Sequence, residues 1–239
     1  MFEIDRVQLD KLFDLKLAWE SLPFLLEGIP MTISLAIIGM IIGLILGFFI
    51  SLARSSSNIV LRWPSRMYIS FMRSTPIIVF LFLIYHGLPI IGIKLTAFIA
   101  ASIVFGLNSA GYIAEIYRAS LFSVDKGQWE AAKALNIPYW KAMRLIILPQ
   151  AIRIAIPPLA NVFLSLMLGT SLASIITVPE LFQKAQIVAG REFDAMTMYI
   201  MVALLYWPIG IGISYLQDRL EKRYGNYIDV RAKESRAIN

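Results

Sequence analysis

The chain has no cysteine and a single histidine, His86, in 239 residues. Lack of cysteine excludes disulfides, thiolate metal sites and a cysteine nucleophile, and says nothing of compartment. His86 sits in the turn His86-Gly87-Leu88-Pro89 and reads as an interfacial loop residue. No nucleophile–base pair or metal cluster can be assembled around it, which leaves a membrane enzyme without its parts. Charge is also scarce. Asp, Glu, Lys and Arg make up 16% of the chain, whereas a soluble domain carries about 25%. No Gly-x-x-x-x-Gly-Lys-Ser/Thr occurs, so the chain is not expected to carry a nucleotide-binding domain of its own. The first residues lack a basic n-region, and a cleaved signal peptide is not expected. No tandem repeat, low-complexity tract or second soluble domain is visible.

What is present is apolar sequence: 58% hydrophobic residues and a mean hydropathy of +0.70. Uncharged runs of roughly 20 residues, long enough to cross a bilayer, recur along the chain. They predict an all-α integral membrane protein with five spans, at about 28–53, 64–86, 95–117, 150–175 and 195–217. Residues 1–27 form an extracellular amphipathic segment, in which Leu9, Leu12, Phe13, Leu17 and Trp19 suggest a helix on the outer surface. Residues 28–220 form the membrane domain and 221–239 a charged cytoplasmic tail.

The net charge of +6 is explained by orientation rather than by nucleic acid. With five spans, alternate loops share a side. Arg6, Lys11, Lys16, Lys94, Lys184 and Arg191 fall on one side and the other sixteen of the 22 basic residues on the opposite one. The positive-inside rule then puts the N-terminus outside and the C-terminus in the cytoplasm.

Several polar groups lie within the spans. Gly39, Gly43 and Gly47 recur every four residues on the first span and allow close helix contact. Arg73-Ser74-Thr75-Pro76 predicts a bend within the second span, with hydroxyls available for the carbonyls that proline frees. Arg73 reads equally as a snorkelling flank residue and as the wall of a polar path. Asn108 and Ser109 can bridge helices or touch a solute, and Glu115 is three residues from Arg118, close enough to pair with it. In the fourth span Pro157-Pro158 predict an early break, Asn161 and Ser165 keep one side polar, and Thr170-Ser171 begin a hydroxyl-rich cluster. The loop from Pro179 to Asp194 is polar and outside. Polar groups within spans make the candidate solute pathway Arg73, Thr75, Asn108, Glu115, Asn161, Ser165, Thr170 and Ser171.

The longest internal polar interruption is residues 125–149. Asp125 can cap a short helix, with Gln128 placed to reach back. Trp129, Ala132, Lys133 and Leu135 fall on neighbouring positions of a helical period. Asn136 is a plausible left-handed stop, and Pro138 prevents continuation. By its residues alone the segment reads as a solvated helix joining two spans.

Glu130-Ala131-Ala132, followed by Ile146-x-Leu148-Pro149, resembles the permease subunits of bacterial ABC importers. The likeness runs over about Gly28 to Leu220. Arg73-x-Thr75-Pro76, Tyr85-x-Gly87-Leu88-Pro89, Glu115-x-x-Arg118, Gly127-Gln128-x-Glu130-Ala131-Ala132, Leu148-Pro149-Gln150-Ala151 and Thr170-Ser171-Leu172, in that order, resemble its polar amino acid branch. The resemblance implies a type I importer permease fold in a bacterial inner membrane. It also implies a second permease copy or paralogue, a dimer of ATPase subunits that carry the ATP and Mg, and an extracellular solute-binding protein. The chain itself then holds no cofactor and is a transport subunit, not an enzyme. Gly127, Glu130, Ala131, Ala132 and Asn136 correspond to the segment that couples to the ATPase.

Three departures stand out: Asn136 and Ser74 where the family usually has Gly, and Leu168-Gly169 where it often has Lys-Asp. The substrate implied is cystine or a related sulfur amino acid, with glutamine, glutamate and basic amino acids as alternatives. A carrier driven by an ion gradient is the competing reading, and it calls for acidic or paired charge at membrane depth, where Glu115 is the one candidate.

Overall fold

A computed structural model describes residues 12–237; Leu9 lies outside them. Every regular element in that range is helical. Asp14 caps α1 (Leu15–Leu26), accepting from the Lys16 and Leu17 amides at 2.8 and 3.0 Å. Phe13 and Leu17 pack with buried Ala18 and Leu25, while Trp19 is 77% exposed. Two of the residues suggested by the sequence, Phe13 and Leu17, therefore lie on the face that docks on the protein, while Leu12 and Trp19 stay exposed.

The long span α2 (Ile29–Ser55) turns Gly39, Gly43 and Gly47 inward and leaves Ile33, Ile37, Ile41 and Ile45 outward. Its neighbour is α5 (Ala97–Phe122). A Cβ at Gly43 would lie 2.8 Å from Ser109 Cβ, and one at Gly47 2.8 Å from Ile113 Cγ2. Gly106 of α5 answers these glycines by receiving Ile42.

Between these spans the chain is sharply broken. The amphipathic α3 (Ile59–Ser74) and the stretch from Ile77 to Ile91, which begins with α4 (Ile77–Phe82), meet at 104°. Among the described residues four helices are long and apolar enough to cross a membrane, and a fifth crossing requires this bent pair, in place of the single bent span of 64–86, to count as one span.

After α5 come α6 (Lys126–Ala134) and α7 (Tyr139–Ala142). A π-helical turn, Met143–Ile147, joins α7 directly to α8 (Leu148–Gly169), so the helix that carries the returning span begins at Tyr139. Pro157 and Pro158 do not break α8. Each removes one amide donor, but proline's fixed φ is itself helical and the adjacent turns carry the helix through. The geometry changes later, where Thr170–Ile176 tighten into a 3₁₀ helix.

The expected outer loop is mostly a helix, α9 (Leu181–Glu192), because Leu181, Ala185, Val188 and Ala189 give it a buried face against α1 and α10. α10 (Ala195–Ala237) is a single helix that runs on through most of the segment expected as a tail. Its first turn is held by Asp194, which accepts from the Thr197 amide at 3.0 Å and from its hydroxyl. The Thr197 hydroxyl oxygen in turn accepts from the Asp14 amide, tying α1 to α10.

Candidate functional site

The site begins with a missing donor. In an unbroken helix the Met72 carbonyl would accept from the amide of residue 76, but that residue is proline. Asn108 Nδ2 of α5 donates to the Met72 carbonyl instead, at 2.7 Å. One helical turn earlier, the Tyr68 hydroxyl donates to the Leu107 carbonyl at 2.7 Å. Two side-chain bonds thus hold α3 against α5 beside the break. The Met72 carbonyl is satisfied by Asn108 and not by the Ser74 or Thr75 hydroxyls.

Beside the break lies an open cavity of about 600 Å³. Five of the eight pathway residues line it: Arg73, Thr75, Asn108, Asn161 and Ser165. Ser109, Phe105, Tyr112, Gly169 and Leu172 complete much of the wall, so polar groups face apolar and aromatic ones. The Arg73 guanidinium lies 5.3 Å from the centre of the Tyr112 ring. Asn161 also accepts from Gln217 Nε2 at 2.9 Å, which links α8 to α10.

The other three pathway residues lie elsewhere. Thr170 is fully buried and donates to the Met167 carbonyl at 2.7 Å, and Ser171 donates to the Leu168 carbonyl at 2.9 Å. In each case the hydroxyl is bound to its own helix, since a 3₁₀ turn leaves the preceding carbonyls within reach. Glu115 belongs to a second, more polar cavity. One of its oxygens receives Arg118 at 2.7 Å, as the three-residue spacing suggested, and the other faces Arg54 Nε at 3.3 Å. Arg54 has no sequence signal for this role because it comes from the end of α2.

The polar segment 125–149 is built much as its residues suggest. Asp125 Oδ1 accepts from the Gly127 amide at 2.6 Å. Asn136 has φ +50°, and the Ile137 and Asn136 amides donate back to the carbonyls of Ala132 and Lys133 at 2.9 Å each. That is a left-handed helix stop with both bonds of a Schellman motif. Gln128 departs from expectation: it accepts from Gln150 Nε2 at 3.2 Å instead of closing a capping box. Trp129 stacks on Tyr139, ring centres 5.3 Å apart, and packs inward. Gly127, Glu130, Ala131 and Asn136 are exposed, whereas Ala132 is 2% exposed. Ala132 therefore anchors the helix from within, and its side chain is not presented to a partner.

Glu180 escaped sequence reasoning. It is fully buried ahead of α9 and accepts from the Phe182 and Gln183 amides at 2.9 and 2.7 Å and from the Tyr206 hydroxyl at 3.0 Å. Burial among neutral donors pushes its carboxyl up to about 7. The Pro179-Glu180 pair ahead of an amphipathic run was the available signal.

Comparison with known proteins places this geometry. The family described as "Binding-protein-dependent transport system inner membrane component" matches residues 39–226. The probable amino-acid ABC transporter permease protein YckA of Bacillus subtilis (strain 168) is 54% identical over 94% of this chain and 100% of its own length. The L-cystine transport system permease protein TcyB of the same organism is 44% identical over 86% of this chain and 88% of its own. Among solved structures, an amino acid ABC transporter crystallised with histidines superposes with a TM-score of 0.84 at 34% identity, covering 88% of this chain and 98% of that one. An inward-facing MetNI methionine ABC transporter, at 22% identity and a TM-score of 0.64, shares the fold.

Proposed function

The chain belongs to the family of inner membrane components of binding-protein-dependent transport systems, and from that membership we propose that it carries a polar amino acid, cystine first, through the membrane in an ATP-driven importer. It is a multi-pass membrane permease subunit and not an enzyme. The cavity at the α3–α4 break is the observation that carries the reading: a guanidinium, two amides and hydroxyls face aromatic and aliphatic walls, a surface suited to a zwitterion. The relative of the L-cystine system supports cystine as the first candidate, with glutamine, glutamate and basic amino acids as the others.

In this reading a binding protein delivers the amino acid outside, a second permease copy or paralogue completes the path, and two ATPase subunits supply the energy. The exposed Gly127, Glu130, Ala131 and Asn136 form the docking face for the ATPase, and buried Ala132 sets its angle. ATP-driven movement of this helix swings the spans between two access states. A carrier driven by an ion gradient needs an acidic group free to exchange its ion, and both Glu115 oxygens are held by arginines.

The test is uptake of radiolabelled cystine, with other amino acids as competitors, in cells lacking the chain and in cells given it back. Restored uptake should stop with vanadate. Glu130→Arg should leave the protein inserted while ATPase co-purification and uptake are lost. Uptake that survives vanadate and Glu130→Arg, and that follows a proton gradient, would overturn the reading.

A further inference from the structure

The second cavity, about 520 Å³, is lined by Arg54 from α2, Arg66, Ser70 and Arg73 from α3, and Tyr112 and Glu115 from α5. Its charges do not balance. Three guanidiniums face one carboxylate, and that carboxylate spends its two oxygens on Arg54 and on Arg118 from outside the cavity. Among the described residues, Arg66 and Arg73 have no carboxylate within ion-pair distance. They stand seven residues apart on α3, two helical turns, so both face the same side with Ser70 between them. Arg73, Ser74 and Tyr112 also line the cavity at the break, and so form a wall common to both spaces. The bias of basic residues puts this second space on the cytoplasmic side.

We propose that the cavity lined by Arg54, Arg66 and Arg73 is a carboxylate-binding exit site, which takes the amino acid from the break and holds it before release to the cytoplasm. The inference rests on the importer reading. The chemistry is that of arginine with a carboxylate: two guanidiniums with no carboxylate at ion-pair distance form a fork for an anion, while Glu115 keeps the third from closing on it. Arg73 reaches both spaces, so the carboxylate stays with one cation as it passes between them.

Because the chain lacks cysteine, Ser70→Cys gives a single thiol inside this cavity. The complex with its ATPase is labelled in inside-out vesicles. An anionic methanethiosulfonate should react about tenfold faster than a cationic one of similar size, as expected for a cavity focusing positive potential. Arg66→Gln should bring the two rates together, and Arg66→Lys should keep them apart. L-lanthionine, a thioether analogue of cystine that cannot exchange with the thiol, should slow labelling, as should L-glutamine. Bis(2-aminoethyl) sulfide, the same skeleton without carboxylates, should not. Equal rates for the two reagents, or no labelling, would overturn the site, and so would lack of protection by both amino acids. Protection by inorganic phosphate at the same concentration would reassign it as a general anion site and overturn the exit role. Radiolabelled uptake, measured separately, reports on the importer reading: charge-selective, amino-acid-protected labelling with no uptake would sink that reading and leave the site standing.

Discussion

Helix α5 has two very different neighbours. Against α2 it meets a ridge of glycines, and Ile42 fits where Gly106 has no side chain. Against α3 and α4 it meets a break that leaves an open space, held in place by the Asn108 and Tyr68 bonds. The first contact joins two apolar helices, and the second joins apolar α5 to the amphipathic α3 and the apolar α4. What separates them is whether backbone polar groups are satisfied within each helix or across to the next one. The first kind of contact fixes the spans in the chain, and the second keeps a polar space at membrane depth without leaving a carbonyl bare.

The sharpest way to break this contrast is to overfill the tight side. Gly106→Val would press a branched side chain into Ile42, and overpacking of that severity is expected to cost about 3 kcal/mol or more. Thermal unfolding of the purified protein should show a large loss of folded material. Ile42→Ala added to Gly106→Val should restore part of it, since the clash is between those two positions. Gly190→Ala in α9 is the control: nothing lies within 4 Å of its missing Cβ, and the change should stay within about 1 kcal/mol of wild type. Equal losses at Gly106 and Gly190 would mean that the α2–α5 contact is not close packed.

The two sides were not equally legible. Glycine every fourth residue is a one-helix pattern, so the ridge of Gly39, Gly43 and Gly47 stands out in sequence. Gly106 does not, because its value depends on Ile42 in another span. Pro76 announced a bend, but not a 104° break. Its compensating donor comes from Asn108, 32 residues on, and not from the neighbouring hydroxyls. Pro157 and Pro158, a stronger local signal, produced no break at all. The stop at Asn136 was readable to the residue because a left-handed stop is local chemistry. Glu115 with Arg118 was readable for the same reason; Arg54, from a different helix, was not.

A polar version of the tight side closes the outer end of α2. Thr32 accepts from the Leu181 amide at 3.1 Å, and Gly28 lies so close that a Cβ there would be 2.6 Å from the same nitrogen. Glu180 sits in this packed layer with its carboxyl raised from 4.5 to about 7. The folded state therefore holds a proton that the unfolded state gives up more readily. Its contribution to stability is fully present below pH 4.5 and is lost as pH rises through about 7. The loss should reach about 3 kcal/mol. Melting curves of the purified protein between pH 5 and 8 should show the decline, and Glu180→Gln should flatten it. A wild-type curve as flat as the variant's would mean that water reaches the carboxylate and that this end is not closed.

The smallest effect on stability is expected on the open side, where it should also separate packing from transport. Asn108→Leu removes the only donor placed on the Met72 carbonyl among the described residues. A half-buried carbonyl left unpaired should cost about 1 kcal/mol. Pro76→Ala returns a backbone amide at the position from which a continuous helix would supply that bond. The two changes should therefore not add: the double variant should melt close to wild type, because residue 76 now satisfies Met72 from within its own helix. Uptake should behave in the opposite way. If the break makes the cavity, Pro76→Ala lets α3 run on toward α4 and narrows it, and the double variant should transport as poorly as Asn108→Leu or worse. Recovery of uptake together with stability would show that the break is only a packing solution, and would remove the physical difference drawn between the two faces of α5.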